Sequence, residues 1–180
     1  MSTVGNIANS QKTNSFLYTA EERMRRDETI WTLVQGVLAP VQFLIFLISL
    51  ALIARYFQTG EGLFAAHISI VLKTFSLYAI MITGAIWEKV VFGRYLFAPA
   101  FFWEDVFSMA VLALHTAYLL ALWAGWLSSG ALLILALCAY GTYVINAGQF
   151  IWKLRRARLD QARSVSSTSA DVSVATGGAV

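Results

Sequence analysis

Three carboxylic acids, Glu88, Glu104 and Asp105, stand at the ends of long apolar runs, and two further ionisable side chains, Lys73 and His115, lie inside such runs. A carboxylic acid removed from water is favoured in its protonated form, so it can give a proton to a weakly basic acceptor while a neighbouring carboxylate takes one back. Glu104 and Asp105 also suit the first turn of a helix, where the macrodipole favours acids, and a structural role for one of them stays open. An ionisable group in hydrocarbon costs roughly 2.5 to 3.5 kcal/mol on insertion scales, so Lys73 and His115 each call for a partner or a purpose. A packing lysine that snorkels or bonds a carbonyl, and a histidine satisfied by an interhelical hydrogen bond, are the plainer readings of these two. His67, near the end of its run, reads as structural.

Glu104, Ser108 and His115 share one helical face, because eleven residues at 100° each return to within about 20° of the start. Gln149 and Asn146 near one end of the chain and Gln35 near the other fall at depths close to the carboxylates, which together describe a polar pocket walled by four helices. Between the acids, VVFGRYLFAPAFFW crowds Phe92, Tyr95, Phe97, Phe101, Phe102 and Trp103 around Gly93 and Pro99. Part of this is the ordinary interfacial aromatic belt. The density also suits a large flat apolar ligand held by offset stacking. The sequence contains no CxxC, HExxH, GxGxxG or P-loop, so zinc hydrolysis, dinucleotide redox and nucleotide hydrolysis have no support.

The elements that must position these residues follow from the solvent. Of 180 residues, 58% are hydrophobic and 13% charged, too apolar a balance for an ordinary soluble domain. The apolar residues come in unbroken runs instead of alternating at a period of 3.6 or 2. The expected fold is therefore an all-α polytopic membrane protein, a bundle of four transmembrane helices at about residues 31–54, 63–87, 100–123 and 131–152. Pro40 predicts a kink in the first span and frees the Gly36 carbonyl for a polar neighbour such as Gln35 or Gln42. Pro99 is expected in the first turn of the third span. The single cysteine, Cys138, offers no disulfide framework.

The formal charge of +3 raises the question of nucleic acid, and the placement of the cations answers it. Lys12, Arg23, Arg25 and Arg26 precede the first span, Lys89 and Arg94 lie between the second and third, and five more follow Trp152, against Arg55 alone on the opposite side. By the positive-inside rule both termini and the middle loop are cytoplasmic, which is a topology signal and not a DNA-binding face. The N-terminus has no short apolar core with a small-residue cleavage site, so no removable signal peptide is expected. Small polar residues predict disordered tails at 1–15 and 161–180 around a single membrane domain at 16–160.

The strings FLYTAEERMRRD (Phe16 to Asp27), WTLVQGVLAPVQF (Trp31 to Phe43), IWEKVVFGRYLFAPAFFWEDVFSM (Ile86 to Met109), ALHTAYL (Ala113 to Leu119) and NAGQFIWKLRRARL (Asn146 to Leu159) resemble the vinyl bacteriochlorophyllide hydratase family. The resemblance implies a hydro-lyase of bacteriochlorophyll synthesis that adds water across the ring-A vinyl group of a magnesium chlorin to form a hydroxyethyl group. Magnesium then arrives within the substrate, and no separate cofactor is implied. The resemblance also implies a bacterial inner membrane, cytoplasmic or intracytoplasmic and photosynthetic. The partners implied are lipid, the chlorin and other enzymes of that synthesis.

Matching this chemistry to the residues makes Glu104 the expected acid, with Glu88 or Asp105 stabilising the developing cation and orienting water. His115 is the candidate axial ligand of the substrate magnesium. Lys73 or Arg94 would pair with the substrate's propionate, Arg94 at the lower electrostatic cost. Trp87, Trp103 and Tyr95 would line the aromatic side of the substrate site, and Asn146 and Gln149 its polar side. Two other readings stay open: a chlorin-binding or assembly protein without chemistry, and a proton-coupled carrier, which the lack of repeated halves disfavours.

Overall fold

The computed structural model describes residues 17–177, with side chains to residue 159. Its order is α1 (Ala20–Glu28), α2 (Ile30–Thr59), α3 (Leu63–Phe92), α4 (Phe102–Ala124) and α5 (Ser129–Gly177), with no strand among the described residues. Four segments, Ile30–Thr59, Leu63–Phe92, Phe102–Ala124 and Ser129–Leu159, are apolar and long enough to cross a membrane. Even the 23 residues of α4 extend about 34 Å at 1.5 Å per residue. The expected four-helix membrane class is the one observed.

The spans run past the ends that hydropathy alone suggests, because capping and not polarity decides where a helix stops. Thr29 caps α2 by accepting from the Trp31 N–H. Gly60 and Gly93 end α2 and α3 in the left-handed conformation, their N–H groups closing on the carbonyls of Tyr56 and Lys89. The third span starts at Phe102, not at Ala100, so Pro99 lies before the helix. It occupies the second position of a turn closed by the Phe101 N–H on the Ala98 carbonyl at 2.8 Å, a place to which its fixed φ is equally suited.

Large apolar side chains face outward: Phe64, Ile82, Leu44 and Ile134 are all more than half exposed. Inside lie Ser49, Thr74, Lys73, Ser108, His115 and Asn146, each buried. This inversion is what a lipid solvent produces. Small residues such as Ser49, Ala66 and Ala136 sit at the buried interfaces and let backbones approach. The Ser49 hydroxyl joins Ser69 at 2.7 Å and the Tyr140 hydroxyl at 2.6 Å, tying α2 to α3 and α5. Around them pack Phe46, Ile53, Ile70, Val111 and Leu133.

Pro40 lies within α2. Neither glutamine nitrogen serves the Gly36 carbonyl, contrary to the expectation. Gln35 Nε2 donates instead to Thr83 Oγ1 at 2.7 Å, beside Gly84, where a Cβ would stand 3.8 Å from the Gln35 side chain. Gln42 Nε2 has no hydrogen-bond partner at all.

His67 is structural, its Nδ1 lying 2.6 Å from the Tyr118 hydroxyl between α3 and α4. Tyr118→Phe is therefore expected to lower bundle stability by about 1–2 kcal/mol through the orphaned imidazole, while leaving the carboxylate end of the bundle unchanged. Melting of the detergent-solubilised chain checks this.

Two compact units divide the described residues, Ala20–Asn146 in one and residues 17–19 with 147–177 in the other. In the second, the α5 backbone stays helical to Gly177, past residue 161 where a disordered tail is expected. No glycine or proline interrupts it between Gln149 and Thr176. The Arg156 guanidinium lies over the Trp152 ring at 4.1 Å. The expected disorder of 1–15 falls outside the described residues.

Candidate active site

Glu88 ends α3 and Asp105 opens α4, and the nine-residue connection between the helices, 93–101, folds back so that both acids are buried together. Their carboxyl groups adjoin, close enough for a hydrogen bond between them when one carries the proton. Such a bond requires a proton on one of the two, because ionised carboxylates only accept. The remaining oxygens are held by the loop: the Phe97 N–H donates to Asp105 Oδ2 at 2.6 Å and the Ala98 N–H to Glu88 Oε2 at 3.2 Å. Backbone donors thus fix the outer side of each carboxyl while the inner sides face one another. The N-terminus of α4 adds its own partial positive charge.

Holding two successive amides on two acids bends the loop sharply. Phe97 takes φ +59°, left-handed for a residue with a Cβ, at a cost of about 1–3 kcal/mol that the two carboxyl bonds offset. Phe97→Gly should keep the clamp and cost little stability, whereas the β-branched Phe97→Val should loosen it. Amide exchange at residues 97 and 98 distinguishes the two variants.

Glu104 is buried one residue before Asp105 and engaged by its surroundings. One turn further along α4, Ser108 Oγ accepts from Asn146 Nδ2 at 2.8 Å. Glu88, Glu104 and Asp105 thus stand where α3 and α4 meet the loop, and Ser108 with Asn146 lies one turn along α4 from Glu104.

The aromatic residues divide into two sets. Phe92 and Phe101 both pack edge-on against Trp87 with centroids 5.7 Å away, and Trp87 Nε1 donates to Thr32 Oγ1 at 2.9 Å, so Trp87 is committed to joining α2, α3 and the loop. Phe97, Phe102 and Trp103 form a second chain, with Trp103 67% exposed. Tyr95 is also exposed, under the Lys89 ammonium at 5.3 Å, and Arg94 is exposed next to it. These outward rings, not Trp87, present free faces.

Lys73 and His115 are brought within electrostatic reach of one another, as their equal depth predicts, but far below the carboxylates. His115 is eleven residues beyond Glu104, about 16 Å along α4. Lys73 does not snorkel. Its Nζ sits 3.7 Å from the Tyr143 ring centroid without a hydrogen-bond partner. His115 Nδ1 contacts the Val111 carbonyl at 2.8 Å, its ring stacks on Tyr140 at 5.8 Å, and Nε2 is buried and unpartnered. Gln35, bonded to Thr83, is not part of the carboxylate site. Gln149 belongs to the second unit.

Sequence reasoning missed Tyr140, Tyr143 and the amides of Phe97 and Ala98. The i, i+3 spacing of the two tyrosines among small residues is the one signal that marks them.

A family model described as 2-vinyl bacteriochlorophyllide hydratase (BCHF) matches residues 18–156. The 2-vinyl bacteriochlorophyllide hydratase of Cereibacter sphaeroides is 69% identical over 144 residues, covering 80% of this chain and 89% of that protein. The protein of the same name from Rhodobacter capsulatus is 66% identical over 152 residues, covering 84% and 88%. No solved structure matches. The buried acids, the aromatic loop and the four spans all fall within the matched residues, and the chain belongs to the 2-vinyl bacteriochlorophyllide hydratase family.

Proposed function

We propose that this chain hydrates the ring-A vinyl group of a magnesium chlorin in bacteriochlorophyll synthesis, and that the Glu88–Asp105 pair is its proton donor. The observation that carries the assignment is the burial of these two carboxyl groups side by side, which favours one proton held between them. The proton passes to the terminal vinyl carbon, and the π pair of the double bond forms the new C–H bond. Positive charge develops on the carbon attached to the macrocycle, where the remaining negative charge of the pair stabilises it. Water then forms the C–O bond and gives up a proton to Glu104, from which the pair is recharged. One water is added and nothing else is consumed.

These roles shift the acid from Glu104, the choice made by matching the implied chemistry to the sequence, to the two adjoining groups. The exposed faces of Trp103, Phe102 and Tyr95 would stack on the macrocycle, and Arg94 would pair with its propionate. In this reading His115 is not the magnesium ligand of the same macrocycle. The 16 Å or so along α4 from Glu104 exceeds the distance from a chlorin's centre to its vinyl substituent. The cation distribution supports a cytoplasm-facing carboxylate end in a bacterial inner membrane, reachable by other enzymes of the synthesis.

Membranes of a non-photosynthetic bacterium carrying only this chain, given a vinyl chlorophyllide in ¹⁸O-labelled water, should yield a hydroxyethyl product bearing ¹⁸O. Unchanged chlorin bound tightly to the protein would overturn the reading in favour of a binding or assembly role.

A further inference from the structure

Four buried side-chain atoms in the middle of the bundle have no hydrogen-bond partner among the described residues: Gln42 Nε2, Lys73 Nζ, His115 Nε2 and Asn146 Oδ1. Their residues are 4%, 0%, 1% and 9% exposed. Three mutually packed rings, Tyr140, Tyr143 and Phe46, relate them. Lys73 Nζ lies on the face of Tyr143 at 3.7 Å, Asn146 is one turn along α5 from that tyrosine, and His115 stacks on Tyr140 one turn the other way. Gln42 is one turn along α2 from Phe46, whose ring packs on both tyrosines at 5.2 Å.

The chemistry of these atoms selects the occupant. A carbonyl only accepts, so the Val111 contact puts the hydrogen of a neutral His115 on Nδ1 and leaves a lone pair on Nε2. The set therefore contains two donors, the Lys73 ammonium and the Gln42 amide, and two acceptors, Asn146 Oδ1 and His115 Nε2. A cation would be repelled by Lys73, and an anion would meet the lone pairs of Asn146 and His115. Water donates and accepts, and a buried water takes two to four such partners.

The same set leads to the carboxylates. Asn146 donates through its nitrogen to Ser108, whose hydroxyl keeps its own hydrogen to give, and Glu104 lies one turn above Ser108 on the same face of α4. A flat apolar substrate seated on the outward rings would cover the open side of the carboxylate site. Water would then have to reach the cationic carbon from within the bundle.

We propose that Gln42, Lys73, His115 and Asn146 enclose a hydrated chamber, and that its water is the one consumed, passed to Glu104 by way of Ser108. The supply role rests on the hydratase reading above; the hydration of the chamber does not.

The full chain, ¹⁵N-labelled at glutamine and asparagine side chains and held in lipid nanodiscs without substrate, tests the chamber. Magnetisation should pass from water to the Gln42 and Asn146 amides, identified by their loss in Gln42→Leu and Asn146→Leu, while the backbone amides of buried Val111 and Ala139 stay silent. In turnover, Ser108→Ala should lower kcat about 10- to 100-fold with KM and chlorin binding unchanged, because water delivery and not substrate seating is impaired. Active protein with silent side-chain amides would overturn the chamber and leave the hydratase reading intact. A wet chamber with full kcat in Ser108→Ala would overturn the supply route. Wild-type chain that makes no hydroxyethyl product would remove the hydratase reading and the supply role together, whatever the amides report.

Discussion

Glu88→Gln is expected to lose about 10²- to 10⁴-fold of kcat, the usual worth of a positioned proton donor, with chlorin binding retained. Asp105→Asn should do the same. Each amide can keep the architecture: its oxygen accepts the loop N–H that the carboxyl held, from Ala98 or from Phe97, and its nitrogen donates to the surviving carboxylate. What neither variant can do is hold a transferable proton between two carboxyl groups. Because the pair acts as one acid, the double variant should be scarcely worse than either single one. Single-turnover assays on vinyl chlorin, with melting curves to confirm folding, give the comparison. Retention of more than about a tenth of the activity in Glu88→Gln, or losses that multiply in the double variant, would remove the pair as donor.

Glu104→Gln separates the remaining role. If Glu104 takes the proton from water, this variant should still bind and polarise the substrate but slow the addition step, and a solvent isotope effect on kcat should grow. The distinction between the acid and the base was hidden in the sequence. Spacing places Glu104 and Asp105 together and Glu88 a loop away, but which two touch depends on that loop. Its left-handed Phe97, the turn that Pro99 enters before α4 begins, and the two amides aimed at the acids are tertiary consequences that no periodicity encodes.

The four spans, by contrast, were legible, because lipid demands long apolar runs and leaves little room for alternatives. The equal depth of Lys73 and His115 was legible by counting. The partners of single polar side chains were not. Gln35 turns to Thr83, Gln42 Nε2 finds no partner among the described residues, and Trp87, one of several tryptophans at an interface, is spent on Thr32 and two phenylalanines. Each outcome turns on a neighbour from another helix, which a one-dimensional pattern does not contain.

Lys73→Met is expected to make the bundle more stable, by about 1–3 kcal/mol, while lowering turnover. Placing a lysine at this depth costs roughly 2.5 to 3.5 kcal/mol on insertion scales, and its ammonium, without a hydrogen-bond partner among the described residues, rests on the Tyr143 face at 3.7 Å. A desolvated cation–π contact returns about 2 kcal/mol, less than the cost. Methionine has nearly the same length, carries no charge to desolvate, and keeps a sulfur–aromatic contact with the same ring worth about 0.3–1.5 kcal/mol. A residue retained at a net cost is one whose chemistry is used, and in the chamber that use is a donor that orients water toward Asn146 and Ser108. Unfolding of the full chain by titration with a denaturing detergent measures the first effect, and kcat on vinyl chlorin the second. A variant that is clearly less stable than the wild type would show that Lys73 holds the bundle together. A variant that is more stable and fully active would leave the lysine without the role assigned to it.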